Sequence, residues 1–370
     1  MSRLAIGTIV ARNYLAHARV LAHSLRRHHP EIPFYVLFAD ATDSERDGGD
    51  EPFQLLSIAD LDLDDVRSLL FRYECKPALI ALKPTLLRHL LGAGYPSVLL
   101  LDADMLVQRS IQEALDHVSS HALTLSPHVG MAPTNADRLA RERLLLMAGI
   151  YNGGFVGASD RPETHRFLEW WETRLSRHCD DNVREGFHFD QRWLDLAPGF
   201  IDDLHILRDP GINVAYWNLP DLELQLDDDR LLVNGQTCRL FHFSGFDPDD
   251  PGKASRYAPD LTTEELGPAA VVFRQYRQML KDAGHDQTKD APWPWDRFVN
   301  GVEIAPSARQ AFRAMGDESR RFSDPFDVRR RSFYRLLNGQ ASSWARCRRA
   351  LRARVPRLRR TPETQKPPEP

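Results

Sequence analysis

Leu99-Leu100-Leu101-Asp102-Ala103-Asp104 is the stretch that decides the fold. The apolar run 97–101 predicts a short buried strand, which ends abruptly in two acidic residues. Side chains two residues apart in an extended chain point the same way, so Asp102 and Asp104 can address one site. Ligands of open α/β sheets bind at the carboxyl ends of the strands, where this pair would lie. Two carboxylates against an apolar strand favour a hard cation, Mg²⁺ or Mn²⁺, although DxD alone is also typical of an acidic turn.

The sequence before this stretch alternates predicted strands and helices. Residues 3–10 and 33–39 predict buried strands, and Asn13 can cap the helix between them. Residues 76–91 predict a further helix, in which Pro84 either introduces a kink or opens a second helix. Strands that alternate with helices are typical of a mostly parallel central sheet covered by helices, so we expect an α/β fold.

The sequence after about residue 150 changes character, because shorter predicted strands follow one another. Asn234-Gly235 is a hairpin signal, so an antiparallel section should follow the parallel one. The short predicted strands are Leu204–Leu207, Val214–Trp217, Leu222–Leu226, Arg230–Val233 and Thr237–Phe243. We expect a first domain at 1–255, a helical C-terminal extension at 256–342, and a basic, then proline-rich and disordered tail at 343–370.

Composition and charge exclude several classes of protein. Of 370 residues, 42% are hydrophobic and 27% are charged, which provides a substantial core and excludes global disorder. The apolar runs fall far short of the ~20 residues that a membrane-spanning helix needs. Residues 343–360 contain eight Arg and no acidic residue, so residues 1–342 carry −11 although the whole chain carries −4. A body this acidic is a poor general binder of nucleic acid.

The basic segment 343–360 and the cysteines bear on the location of the protein. With Trp344 and Leu351 among its arginines, the segment could contact anionic lipid head groups, or it could be a basic tail in solution. The four cysteines are scattered without a CxxC pair, which favours a reducing compartment. We therefore expect a cytoplasmic protein, with peripheral contact to the inner face of the membrane as the open alternative.

Three further motifs bring polar groups to predicted strand or helix ends. Asn152 stands beside Gly153 in a glycine-rich strand that lets a hydroxyl-rich ligand approach the backbone, although a β-bulge would also explain the glycines. Asp190-Gln191 begins a predicted helix, where Asp190 could equally be an N-cap. His242 ends a later strand, where it could add an imidazole ligand that favours Mn²⁺, or be a half-buried strand histidine.

The order of these motifs resembles that of a known family. A strand ending in DxD, an Asn-Gly-Gly strand, an Asp-Gln helix start and a strand ending in His-Phe-Ser-Gly are similar to the nucleotide-sugar glycosyltransferases of the GT-A fold. The similarity is greatest to the retaining family 8, typified by glycogenin and bacterial galactosyltransferases, and it covers about residues 3–255. The resemblance implies a GT-A-like fold and a metal-dependent transfer of a hexose from a UDP-sugar to a glycan or lipid-linked acceptor.

The resemblance also implies roles for the matching residues. Asp102, Asp104 and His242 would bind Mn²⁺ or Mg²⁺, and the metal would bridge the donor diphosphate. Asp190 would hold the donor sugar, with Gln191 near its anomeric carbon. The donor-binding residues would be Thr8, Asn13 and Tyr14 at the uridine pocket, Lys83 at the phosphate or donor sugar, Asn152 and Gly153 at the sugar hydroxyls, and Gly245 and Lys253 at the diphosphate.

One departure from the family follows His242. The family pattern HxxGxxKPW is here His242-Phe243-Ser244-Gly245-Phe246-Asp247-Pro248, without Lys-Pro-Trp, so the diphosphate-binding lysine has no counterpart in place. Lys253 could replace it from a longer loop, and Lys76 competes with Lys83 for the role near the donor. No carboxylate is obviously placed as a nucleophile, so the resemblance favours retention by front-face attack, with the leaving phosphate taking the proton of the acceptor.

Two other interpretations remain open. In a phosphatase of the haloacid dehalogenase type, Asp102 would be the nucleophile and Asp104 the acid/base. That pattern requires Thr or Val where this chain has Leu106, and it usually stands near the N-terminus. The alternative without catalysis is a scaffold that binds sugar nucleotides, against which the complete set of Asp102, Asp104 and His242 argues.

Overall fold

The predicted alternation of strands and helices is present in the computed structural model, which describes residues 4–42, 49–61, 63, 65–130 and 139–339. The strands of that part are β1 (Ala5–Val10), β2 (Phe34–Phe38), β3 (Gln54–Ser57), β4 (Ser97–Leu101), β5 (Met105–Val107), β6 (Leu123–Pro127), β7 (Tyr151–Ser159), β8 (Asp181–Asn182), β9 (Phe187–His188), β10 (Leu204–Ile206), β11 (Leu224–Asp227), β12 (Arg230–Val233), β13 (Gln236–Thr237) and β14 (Leu240–His242). The α-helices are α1 (Leu15–His28), α2 (Val66–Arg72), α3 (Cys75–Ala81), α4 (Lys83–Gly92), α5 (Gln112–Ser120), α6 (Leu139–Ala148), α7 (Pro162–Leu175), α8 (Gln191–Leu194), α9 (Ala270–Asp282), α10 (His285–Thr288), α11 (Pro306–Ala314) and α12 (Phe333–Gly339).

One sheet organises the first part of the chain, with the strand order β10-β6-β7-β4-β1-β2-β3. β1 pairs in parallel with β2 and β4, and β2 pairs in parallel with β3. β7 is antiparallel to both of its neighbours, β4 and β6. The central strands β4 and β6 are buried along their whole length because helices cover both faces of the sheet. The predicted α/β class, a mostly parallel sheet with an antiparallel part and surrounding helices, is confirmed.

The antiparallel direction of β7 determines which residues meet at the end of β4. Leu101 pairs with Phe155, so the residues of β7 that precede Phe155 lie beyond the last residue of β4. The N–H of Asp102 donates to the carbonyl oxygen of Gly154 at 2.9 Å. The register therefore brings the start of the glycine-rich strand beside the DxD.

A second pairing brings a distant strand to the same place. β5 begins directly after Asp104 and pairs antiparallel with β14, with Met105 opposite His242. The N–H of Phe243 donates to the carbonyl oxygen of Asp104 at 2.8 Å. This short pair holds His242 beside Asp104, although 137 positions separate them in the sequence.

The main core lies between the sheet and the helices that follow β1 and β5. Ile6 and Val10 of β1 are fully buried with Leu21 of α1 and Val118 of α5. Burial of each such side chain stabilises the fold by about 1.5–3 kcal/mol. The end of β4 is thus carried on a well-packed scaffold.

Pro84 opens a second helix and does not kink a single one within residues 76–91. Two helices are present, α3 and α4, and Leu82 separates them. Pro84 stands in the first turn of α4, where its missing N–H costs no hydrogen bond. Lys83, directly before it, therefore begins a new helix.

The residues that the structure describes divide into two compact units, the first ending at Trp295 and the second beginning at Asp296. α9 belongs to the first unit and contacts α1, so this unit runs past the predicted boundary at 255. In the second unit, buried Arg309 pairs with Asp296 at 2.7 Å, and Phe312 packs against Phe333. The division into 1–255, 256–342 and 343–370 stays a prediction.

Within the residues that the structure describes, no helix has the length and apolar character needed to cross a bilayer. The basic segment 343–360 lies outside those residues. Its contact with anionic membrane stays a prediction.

Candidate active site

A cleft of about 1310 Å³ opens at the carboxyl end of β4. Asp102, Asp104 and His242 line it, together with residues from the loop after β14. Asn13, Tyr14, Lys83, Asn152, Asp190, Gln191 and Gly245 also line the cleft, as the sequence predicts. Strand ends from distant parts of the chain therefore converge on the site that the DxD indicates.

Asp102, Asp104 and His242 form a compact set of ligand groups. One ligand atom from each lies within 4.8 Å of the others. His242 is buried, and its Nε2 lies 3.1 Å from Oδ1 of Asp104. Burial acts to raise the pKa of Asp104, but the adjacent imidazole of His242 outweighs it and holds the pKa below its usual range.

A chain of amide contacts determines which nitrogen of His242 faces the cleft. The N–H of Gly154 donates to Oδ1 of Asn152 at 3.0 Å, which fixes the orientation of that amide. Nδ2 of Asn213 donates to the same oxygen at 3.3 Å, so Oδ1 of Asn213 faces Nδ1 of His242 at 3.0 Å. Nδ1 of His242 therefore carries a proton, and Nε2 is left for a ligand on the side of Asp104.

The carboxylates and the imidazole fit a divalent cation. Nε2 of His242 and Oδ1 of Asp104 face each other at 3.1 Å, and two acceptors at that distance need a proton or a cation between them. Gly154 keeps the place open: a Cβ there would lie 2.7 Å from Cε1 of His242 and 2.9 Å from Oδ2 of Asp102. Two carboxylates with one imidazole suit Mn²⁺ or Mg²⁺.

Lys83 is a buried cation that lies between the carboxylates of Asp102 and Asp190. Its Nζ lies 3.0 Å from Oδ1 of Asp102 and 3.0 Å from Oδ2 of Asp190, and it donates to the carbonyl oxygen of Gly153 at 2.8 Å. Burial acts to lower the pKa of Lys83, but the two carboxylates outweigh it and raise the pKa. All three ammonium protons therefore have acceptors within the protein, which leaves none for the predicted contact with a phosphate.

Gln191 is held in a fixed orientation at the wall of the cleft. Its Oε1 accepts from Nδ2 of Asn152 at 3.2 Å and from the N–H of Gly153 at 3.3 Å. Its Nε2 donates to the carbonyl oxygen of Ala148 at 3.1 Å. Asp190 stands at the N-cap position of α8, but its side chain makes no capping hydrogen bond there, and its carboxylate pairs with Lys83 instead.

Three predicted donor-binding residues are not among those that line the cleft: Thr8, Gly153 and Lys253. The backbone of Gly153 is hydrogen-bonded to Lys83 and Gln191 instead. Thr8 is fully buried in β1 and does not line the cleft, whereas Ile9 does, because successive strand residues point to opposite faces. Lys253 is half-exposed and pairs with Asp250 at 2.7 Å, and it is not among the residues that line the cleft. The predictions that Thr8 lines a uridine pocket and that Lys253 reaches the diphosphate are therefore corrected.

The cleft also contains residues that the sequence analysis missed. Arg256 lines it, and its N–H donates to the carbonyl oxygen of Gly245 at 2.9 Å. Trp217 packs edge-on against His242, with ring centroids 5.1 Å apart. Asn213, which contacts His242, has a backbone φ of 59°, which is uncommon for a residue other than glycine. This conformation marks Asn213 as a special position in the structure, but nothing in the sequence predicts it.

Lys76 also lines the cleft and has its own partners. Its Nζ donates to the hydroxyl of Tyr257 at 2.8 Å and lies 4.5 Å from the ring centroid of Phe189. Lys76 thus occupies the cleft without contact to the carboxylates that hold Lys83. The two lysines have separate places, so they do not compete for one role.

Comparison with known proteins relates this site to one enzyme class. Residues 54–198 match the model of the nucleotide-diphospho-sugar transferase family. This segment includes the DxD, the glycine-rich strand and Asp190-Gln191. The match supports the predicted enzyme class, a glycosyltransferase, over the segment that it covers, and it agrees with the GT-A-like arrangement of the sheet.

The relatives found are distant. The chain is 22% identical over 245 residues to the uncharacterized protein YfnF of Bacillus subtilis strain 168, covering 65% of this chain and 80% of that protein. It is 24% identical over 258 residues to YfnD of the same strain, covering 66% and 79%. A solved galactosyltransferase, LgtC, in complex with donor and acceptor sugar analogs, is similar at 17% identity and a TM-score of 0.41, covering 79% of this chain and 98% of that one.

Proposed function

We propose that this chain is a metal-dependent glycosyltransferase that moves a hexose from a UDP-sugar to a glycan or lipid-linked acceptor, with retention of configuration. The observation that carries the proposal is the convergence of Asp102, Asp104 and His242, whose ligand atoms lie within 4.8 Å of one another in the cleft. The family match over 54–198 supports the donor class. It also favours this reaction over the phosphatase interpretation of the same DxD.

The donor would lie along the cleft from the end of β1 to the glycine-rich strand. Asn13 and Tyr14 would contact the nucleoside at one end, and Asn152 would meet the sugar hydroxyls at the other. Burial raises the pKa of Tyr14, so its hydroxyl stays protonated and can donate a hydrogen bond. When bound, the divalent cation would supply Lewis-acid stabilisation of the charge that develops on the diphosphate.

The family pattern has a diphosphate-binding lysine after His242, and this chain lacks it. Arg256 would supply the cationic side chain for the diphosphate in its place. It lines the cleft beside Gly245, and a guanidinium can bind phosphate oxygens with two parallel hydrogen bonds. Burial acts to lower the pKa of Arg256, but Tyr257, Tyr14 and Asp104 outweigh it and raise the pKa. Because Lys83 is fully engaged, Arg256 and Lys76 are the cations of the lining residues that a donor could reach.

Retention would proceed by front-face attack, because Asp190 is poorly placed to act as a free nucleophile. Its carboxylate is buried, pairs with Lys83 at 3.0 Å and packs directly against Gly153, where a Cβ would clash with it. Lys83 would act as a positioning residue that holds Asp102 and Asp190 in one arrangement. Gln191 would then face the anomeric carbon, and the leaving phosphate would take the proton of the acceptor hydroxyl.

The acceptor would approach past α6, whose C-terminal part exposes apolar side chains beside the cleft. Leu144 and Met147 line the cleft yet are 59% and 43% exposed. Leu146 and Ile150 continue the same exposed apolar surface. Exposed apolar patches mark binding sites, and this one suits an acceptor with an apolar part, as in a lipid-linked glycan.

The proposal is tested by UDP release from each UDP-sugar, with and without Mn²⁺, for the wild type and Asp104→Ala. We expect one donor to be turned over in the presence of Mn²⁺ and the variant to be inactive. Hydrolysis of simple phosphomonoesters would support the phosphatase, and tight binding of UDP with Mn²⁺ but no turnover of any donor would support the scaffold. NMR of the product linkage tests retention, because a β-linked product from an α-linked donor would refute it.

A further inference from the structure

Three histidines outside the cleft lie side by side at one edge of the sheet. His117 is in the last turn of α5, His121 follows that helix, and His205 lies in the edge strand β10. Their ring centroids are 3.9 Å apart for His117 and His205, 4.8 Å for His121 and His205, and 6.0 Å for His117 and His121. All three are half-buried, so an ion in solution can reach them.

One of the three rings is oriented by a carboxylate. Nδ1 of His121 lies 2.7 Å from Oδ1 of Asp203. Asp203 is itself held by the guanidinium of Arg161 and by the N–H of Ala122, at 3.3 Å from its Oδ2. A carboxylate that binds one imidazole nitrogen leaves the other as a ligand and increases its basicity, an arrangement common around metal-bound histidines.

The helix end beside the histidines also favours a cation. The end of α5 adds the partial negative charge of a helix C-terminus beside His117.

We propose that His117, His121 and His205 form a second metal site, separate from the cleft and selective for a cation of the Zn²⁺, Ni²⁺ or Cu²⁺ type. One ligand nitrogen from each ring lies within 4.8 Å of the others. The spacing of four residues between His117 and His121 is a known arrangement for two histidine ligands. Three imidazoles without a carboxylate ligand suit these borderline cations better than Mg²⁺ or Mn²⁺.

Binding requires a small rearrangement of the rings. The rings of His117 and His205 are within 9° of parallel, so one cation cannot lie in both ring planes until one of them turns. Half-buried side chains can make such a rotation between staggered conformers. Once bound, the cation would join the end of α5 to the edge strand β10, and α5 packs against β4 and β7, which carry the candidate active site.

Titration calorimetry with Zn²⁺ alone tests the proposal on the full chain. His242→Ala serves as the background, because it removes the imidazole from the cleft ligand set and leaves two carboxylates there. On that background we expect His205→Ala and His117→Gln each to weaken Zn²⁺ binding by about tenfold or more. The matched control His165→Ala removes a histidine that pairs with Asp160 at 2.6 Å, and it should leave the affinity unchanged.

Co²⁺ gives a second readout that does not depend on affinity alone. We expect visible absorption bands of a four-coordinate Co²⁺ site in the His242→Ala background, and their loss on His205→Ala. Equal Zn²⁺ affinity with and without His205, or bands that persist in His205→Ala, would overturn the proposal. Zn²⁺ binding that His242→Ala alone abolishes would overturn it as well, because the cation would then belong to the cleft.

Discussion

Asn213 accepts a hydrogen bond from Nδ1 of His242 at 3.0 Å, and so determines which nitrogen of that histidine faces Asp104. Asn213 is itself buried and is fixed by donating to Asn152 at 3.3 Å and to Ser126 at 3.2 Å. Its backbone has a φ of 59°, a conformation that costs free energy for most residues but suits Asn. The structure therefore maintains one histidine tautomer through a residue that lies outside the ligand set.

Replacement of this acceptor should weaken the binding of Mn²⁺. In Asn213→Ala, Nδ1 of His242 loses its partner and the ring loses its fixed orientation, so we expect the Kd for Mn²⁺ to rise by roughly 10–100-fold. Electron paramagnetic resonance of free Mn²⁺ measures this without any sugar donor. Asn213→Asp keeps the acceptor and should retain more affinity than Asn213→Ala; equal losses in the two variants would contradict this account.

Gly154 should be equally sensitive, for a steric reason. In Gly154→Ala the new Cβ would lie 2.7 Å from Cε1 of His242 and 2.9 Å from Oδ2 of Asp102, so both ligands must move. We expect Mn²⁺ affinity to fall on the order of tenfold. Gly199→Ala is the matched control, because a Cβ there meets nothing within 4 Å. Unchanged affinity in Gly154→Ala would show that the ligands are not held as described.

Lys83 should contribute to stability as well as to the site. Lys83→Met leaves the buried carboxylate of Asp190 without its cation, and loss of one partner of a buried pair costs about 3–5 kcal/mol. Urea denaturation of the protein measures the free energy of unfolding. Lys76→Met serves as the control, because Lys76 contacts a hydroxyl and aromatic rings and forms no ion pair with a carboxylate of the described residues. A loss in Lys83→Met no larger than that in Lys76→Met would contradict the assigned role.

The buried His17 should make stability fall in mild acid. Burial lowers its pKa from 6.5 to about 4, although Asp104 opposes the shift. Between these values the unfolded chain binds a proton that the folded chain does not, so the free energy of unfolding decreases as pH falls from 6.5 to 4. The decrease from this residue reaches at most about 3 kcal/mol.

A variant isolates this contribution of His17. His17→Phe keeps a ring against Tyr14, which lies 4.2 Å away between centroids, and removes the titrating group. We expect its unfolding free energy to depend less steeply on pH between 4 and 6.5 than that of the wild type. His23→Ala, at an exposed position of the same helix, should keep the steeper dependence. The same slope in His17→Phe and the wild type would refute the prediction.

Local signals in the sequence predict the parts of the site that lie at strand ends. The apolar run before Asp102 predicts β4, and Asp102 and Asp104 do face one site, although they lie in the turn after β4 and not in a strand. Asn234 and Gly235 both have positive φ, as the hairpin signal requires. A lone histidine at the end of a strand predicts no site. The order of motifs associates His242 with Asp102 and Asp104, and His242 does line the same cleft as they do.

The remaining features depend on contacts between distant segments. The predicted strand at 214–217 is absent: Val214 makes an isolated bridge to Phe241, and the chain turns sharply at Asn213. Arg256 was missed because the family pattern directed attention to a lysine, whereas the loop after Gly245 brings an arginine to the cleft. The sequence contains no local signal that tells which face of β1 points to the cleft. Ile9 lines the cleft, and its neighbour Thr8 is buried on the other face.

The most direct test of the central claim is anomalous diffraction at the manganese edge from crystals grown with Mn²⁺ and UDP. We predict an anomalous peak within ligand distance of Asp102, Asp104 and Nε2 of His242, with the diphosphate of UDP bound to the same ion. A peak elsewhere, or UDP bound in the cleft without an ion at these three side chains, would contradict the account.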